Sequence, residues 1–201
     1  MKIPTRERAE EYLSWAGKQN PGPWTDHSRV VANACEKIAE NVDGMNSEKA
    51  YILGLLHDIG RYKGVTSVKH IYDGYKLMLQ DGYDGVAQIC LTHSFPLHDF
   101  TAYAGGENDC TQKETEEMIE AINTTDYTEY DRLVQLCDSL AMVEGICLME
   151  KRLMDVAMRY GVKPYSQEYW KKMFEIRDEF SNKIGSLIYS LFPEVAEITL
   201  K

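Results

Sequence analysis

Apolar positions recur along this chain at spacings of three and four, and almost nowhere at a spacing of two. After Pro4 and Thr5, Ala9, Tyr12, Leu13 and Ala16 mark one face of a first helix. The segment from Asn20 to Trp24, with two prolines and a glycine, ends it. Thr25 or Asp26 is the expected cap of a second helix, whose stripe is Val30, Val31, Ala34, Cys35 and Ile38. A turn at Asp43 and Gly44 leads to a third helix, from about Glu48 to His57, with Ser47 at its expected cap. Ala50, Ile52, Leu53, Leu55 and Leu56 surround its axis, the pattern of a buried central helix. Ile59 and Gly60 should end it, Gly60 suiting a left-handed C-terminal position.

Two shorter helices are predicted over Val68 to Leu79 and Tyr83 to Thr92, followed by a long loop from Ser94 to Cys110. A loop of that length inside one domain points to a functional or mobile segment. Thr111 and Glu114 form a capping-box pattern for a helix reaching Ile122. Another begins near Thr128 to Asp131 and continues through Leu136, Cys137 and Leu140 to Val143. Beyond Lys151 the pattern gives a helix to Tyr160, a break at Gly161 to Pro164, and a long amphipathic helix from Ser166 to Phe192. With no repeat and no linker, the expectation is an all-α fold: one compact multi-helix domain over residues 1–201, ending in a long C-terminal helix.

Composition narrows the partners. The 201 residues are 44% hydrophobic and 27% charged, an ordinary globular mixture. Acidic residues outnumber basic ones 32 to 22, a net charge of -10 that disfavours nucleic acid polymers and anionic membranes. A small anionic substrate remains compatible, because bound cations reverse the field locally. No apolar run reaches membrane-spanning length, and residues 1–16 do not read as a signal peptide. Five cysteines with no Cys-x-x-Cys pair suggest free thiols and a cytoplasmic location.

The chain has five histidines, and their placement carries the chemistry. His57 and Asp58 close the most apolar helix, where uncompensated polar groups are costly. On the dipeptide alone, a metal site and a simple polar helix end are equally good readings. Asp138 lies within another apolar helix and needs a partner.

The stretch Leu55-Leu-His-Asp-Ile-Gly-Arg61 resembles the signature of the HD superfamily of metal-dependent phosphohydrolases. That resemblance, carried by roughly Thr25 to Gly145, implies His27, His57, Asp58 and Asp138 as metal ligands from separate helices. His70 and His93 are similar to two further histidines that complete a dinuclear site in some members. It implies Asp58 bridging, with His27, His57 and Asp138 on one ion and His70 and His93 on the other. Such a nitrogen and oxygen donor set suits one or two divalent Fe, Mn, Co, Ni or Zn ions better than Mg. Arg61, together with Asp58, is assigned to catalysis and is a candidate phosphate clamp. Lys63 and His98 are further expected substrate contacts, Lys69 is a weaker one, and Asp73 is a candidate for orienting a ligand histidine. The implied reaction is hydrolysis of a phosphoester of a nucleotide or another small phosphorylated metabolite, by a monomer or homodimer. The same ligands occur in mixed-valent di-iron oxygenases of this type, and a non-catalytic regulatory module is the third reading. No Gly-Tyr-Pro follows the His-Asp-Ile-Gly run, so cyclic dinucleotide cleavage is not implied.

Overall fold

A computed structural model describes residues 1–201. Ten α-helices are present: α1 (Arg6–Gln19), α2 (Trp24–Ala39), α3 (Ser47–Leu56), α4 (Lys69–Gln80), α5 (Asp84–Thr92), α6 (Gln112–Thr124), α7 (Glu129–Asp138), α8 (Met149–Tyr160), α9 (Ser166–Ile184) and α10 (Val195–Leu200). The only strands are β1 (Ala141–Met142) and β2 (Gly145–Ile146), an antiparallel pair. The all-α expectation therefore stands, and no helix is long and apolar enough to cross a membrane.

Every residue of α3 from Ala50 to Leu56 is buried, because α1, α2, α5 and α7 all pack around it. A smaller core of Val68, Ile71, Leu91, Phe95, Met118 and Ile122 joins α4, α5 and α6. Thr5 caps α1 by accepting from the Arg8 N–H, and Thr111 with Glu114 forms the expected capping box on α6.

Several boundaries differ from the sequence pattern for local reasons. Pro23, with φ -68, already lies in the helical region, so α2 starts before Thr25 and Asp26. Asn46 caps α3 in place of Ser47, its side chain accepting from Lys49 N at 2.7 Å. The α7 helix stops at Asp138 instead of Val143, since Ala141 pairs with Ile146 across the β1–β2 turn. The long C-terminal helix stops at Ile184, where Gly185 adopts a left-handed φ of 70. A 3-10 turn (Ile188–Leu191) and α10 follow it.

Gly60 also plays a different part from the expected one. It lies in a 3-10 turn (Ile59–Lys63) running against α4. A Cβ there would sit 1.9 Å from the His70 carbonyl oxygen and 2.4 Å from Gly74 N. The glycine is required by close backbone approach, which brings His70 beside Asp58.

Candidate metal centre

Six side chains converge where helix ends meet. His27 lies in the first turn of α2, and His57 is the residue capping the C-terminus of α3, with Asp58 next to it. His70 is in the first turn of α4, His93 caps the C-terminus of α5, and Asp138 is the last residue of α7. Three helices thus present their C-terminal ends to the cluster and two their N-terminal ends, so the helix dipoles largely offset one another there.

The ligating atoms fall into two groups of three, His27, His57 and Asp138, and Asp58, His70 and His93, each within 4.8 Å of one another. In the first, His27 Nε2 is 2.9 Å from Asp138 Oδ1, and His57 Nε2 is 3.9 Å from the same oxygen. In the second, Asp58 Oδ1 lies 3.0 Å from His70 Nε2 and 3.6 Å from His93 Nε2. Asp58 joins the groups, because its Oδ2 is 3.8 Å from His57 Nε2.

Three histidines are oriented by main-chain carbonyls just upstream of them. His57 Nδ1 donates to Gly54 O at 2.7 Å and His93 Nδ1 to Cys90 O at 2.9 Å, while His70 Nδ1 donates to Ser67 O. Each partner is the carbonyl three residues upstream. With the proton on Nδ1, each Nε2 presents a lone pair to the cluster. His57 Nε2 and Asp58 Oδ1 are buried without a hydrogen-bond partner, although His70 Nε2 is close to the latter. Lone pairs facing lone pairs in a buried site repel, and a cation between them removes the repulsion. The buried His and Asp groups fit a divalent metal.

The electrostatics agree. Burial pushes His57, His70 and His93 below the usual imidazole range, keeping them neutral and ready to ligate. Burial alone would raise Asp58, but Arg61 and the adjacent histidines outweigh it and hold it well below the usual carboxylate range. Asp138 follows the same pattern, burial being overcome by the hydrogen bond to His27. Arg61 Nε donates to Asp58 Oδ2 at 2.5 Å, and its NH2 group is 3.4 Å from His70 Nε2.

Above the cluster opens a cleft of about 440 Å³, a size typical of small-molecule sites. His27, Asp58, Arg61, His70, His93 and Asp138 line it. Lys63 does not: its ammonium pairs with Asp73 at 2.7 Å, so Asp73 holds a lysine and orients no histidine. Lys69 is occupied by Glu114. His98 stacks on Tyr127 with ring centroids 3.5 Å apart, outside the cleft. All five cysteines are free thiols, and Cys35, Cys90, Cys137 and Cys147 are buried as small hydrophobes.

The cleft also has a wall that the sequence pattern did not reveal. Arg152 and Arg159 of α8 line it together with Tyr103, Tyr160 and Tyr169. The one available signal was Arg152, Asp155 and Arg159 falling on a single helical face.

Six ligating groups brought together from five helices and one helix-end turn match the arrangement that the His57-Asp58 signature implies, and the family comparison agrees. The chain belongs to the HD domain family, whose model matches residues 24–143. That span contains all six groups but neither α8 arginine. No curated protein and no solved structure matches the chain.

Proposed function

We propose that this protein is a metal-dependent phosphohydrolase that cleaves a phosphoester of a nucleotide or another small phosphorylated metabolite. The observation that carries the reading is Asp58 standing between two sets of buried, lone-pair-bearing ligands beneath a cleft that contains Arg61. His27, His57 and Asp138 would hold one ion, His70 and His93 the other, and Asp58 both. Bound divalent ions supply an acidified water and neutralise charge growing on a phosphoryl group.

The chain's own residues do the rest. The main-chain carbonyls of Gly54, Ser67 and Cys90 hold three imidazoles in the ligating tautomer. Arg61, permanently charged and anchored through Nε, keeps further N–H groups for phosphate oxygens. Asp58 and Asp138 remain ionised throughout the physiological range, so neither competes for a proton at the reacting centre.

The test is elemental analysis of protein purified without chelator, followed by a phosphate-release screen over nucleotides and other phosphoesters. The expected result is about two transition-metal ions per chain and oxygen-independent phosphate release. Oxygen uptake with an iron EPR signal and no phosphate release would replace the hydrolase reading with the oxygenase one.

A further inference from the structure

The α8 wall holds an arrangement that the metal centre does not use. Arg152 and Arg159 both donate to one carboxylate, Asp155, at 3.1 and 2.7 Å. Arg152 Nε is buried and has no hydrogen-bond partner. Two guanidinium groups sharing a single carboxylate leave one net positive charge in the cleft wall, with Asp155 occupying the place of an anion. The Arg159 guanidinium also lies 5.2 Å from the Tyr160 ring centroid, which adds a flat apolar surface beside the charge.

Charge balance says what such a wall would take. Three arginines (Arg61, Arg152, Arg159) and three aspartates (Asp58, Asp138, Asp155) line the cleft, and a histidine that ligates a metal does so as the uncharged imidazole. Two divalent ions would leave it with a net charge of about +4. One phosphomonoester brings only about -2 near neutral pH. A substrate with a further phosphate matches the cleft, and a singly phosphorylated one leaves the α8 arginines on Asp155.

From this we infer that Arg152 and Arg159 form a second anion subsite, which selects substrates carrying a phosphate beyond the one that is cleaved. The inference rests on the metal-dependent reading above and names its substrate class: nucleotides or similar metabolites with two or more phosphates. Asp155 is the internal competitor for that subsite, displaced as the second phosphate binds.

The experiment compares binding of α,β-methylene adenosine diphosphate, which resists hydrolysis between its phosphates, with adenosine monophosphate, by calorimetry on the metal-loaded protein. Wild type should prefer the diphosphate by roughly tenfold or more, the scale of one hydrogen bond between charged groups. Arg159→Gln should abolish the preference and leave monophosphate affinity within about twofold. Asp155→Asn should act in the opposite direction, tightening diphosphate binding several-fold. Equal affinity for the two ligands in wild type, an unchanged preference in Arg159→Gln, or weaker diphosphate binding in Asp155→Asn would overturn the subsite. Arg159 is about half exposed, so its variant is expected to fold, and a circular dichroism melt checks this. Phosphate release is scored separately. Arginine-dependent binding without hydrolysis removes the proposed activity and keeps the subsite, whereas hydrolysis without arginine dependence does the reverse.

Discussion

The two ligand groups differ in how open they are and in what holds them together. In the His27, His57 and Asp138 group, the His27 and Asp138 side chains are 12% and 24% exposed and already satisfy one another by a hydrogen bond. In the Asp58, His70 and His93 group, the side chains are 5%, 2% and 2% exposed, and the neutralising partner is Arg61. The first is an accessible site with an internal pair across its mouth. The second is more deeply buried although its three residues also line the cleft, and its carboxylate is balanced by a guanidinium in the same cleft. An ion entering the second must compete with Arg61, while an ion entering the first separates a histidine from an aspartate. Metal exchange should therefore be faster at the first group, and charge coupling to substrate stronger at the second.

Removing the residue that joins the two groups has the largest expected effect. Asp58→Ala takes away the more buried group's only carboxylate and the link to His57. Activity should fall by at least about 1,000-fold, beyond the ~10–100-fold typical of losing a group that only orients a ligand. Metal content should drop to about one ion per chain, because His27, His57 and Asp138 still form a three-atom site. Retention of two ions in this variant, measured by elemental analysis, would show that the groups do not share Asp58.

Gly60→Ala separates the groups by structure instead of charge. The added methyl meets the His70 carbonyl oxygen and Gly74 N, which are backbone atoms with no rotamer to escape into. The 3-10 turn and α4 must move apart, at a cost of about 3 kcal/mol, the upper range for overpacking. For a chain of this size that corresponds to a melting temperature lower by roughly 6–12 °C. His70 moves with α4, so its group should lose its ion while the His27, His57 and Asp138 group keeps its own. A variant with wild-type melting temperature and full metal content would mean that the close approach at Gly60 is not needed.

How much of this was legible beforehand divides along the same line. All six candidate ligands stand in the sequence beside recognisable landmarks, because a metal site would demand residue types that are out of place at the ends of apolar helices. His57-Asp58 after Leu55-Leu56 is the clearest case. The partition into two groups came from the family resemblance, and the geometry of the ligating atoms agrees with it. What orients the histidines is not legible in the sequence, which offers Asp73 for the task, whereas Asp73 binds Lys63. The true partners are carbonyls one helical turn upstream, a role open to any residue and therefore silent in side-chain chemistry. The α8 wall was silent for another reason. Arg152 and Arg159 are ordinary charges on an amphipathic helix until the fold brings α8 over the cleft. Helix ends were misjudged where one backbone geometry decided the outcome, as at Gly185 and at the β1–β2 turn after Asp138.

Arg61→Gln tests whether the Asp58, His70 and His93 group is held by a competing cation. The substitution removes the charge that lowers Asp58 and keeps a hydrogen-bonding amide. Affinity for the second ion should rise by about tenfold, since a cation no longer competes for the carboxylate. Phosphoester turnover should fall by about 100-fold with the loss of a charged phosphate contact. Gain in one measurement and loss in the other is the signature. A parallel fall in metal affinity and activity would instead make Arg61 a structural support of Asp58.

The smallest effect is expected outside both groups, at His98. This residue was a candidate substrate contact, yet its ring stacks on Tyr127 and its backbone sits at φ 56, a left-handed conformation. His98→Ala loses the stacking, about 1 kcal/mol of stability, and keeps a Cβ on the unfavourable backbone. His98→Gly loses the same ring but relieves the backbone, so it should melt higher than His98→Ala. Neither should change KM or metal content by more than about twofold, a difference of roughly 0.4 kcal/mol. A tenfold rise in KM in both variants, with melting temperatures unchanged, would bring His98 back to the substrate and extend the functional cleft past Tyr127. The order of the two melts separates backbone relief from ring loss, because only the glycine can recover what the left-handed conformation costs.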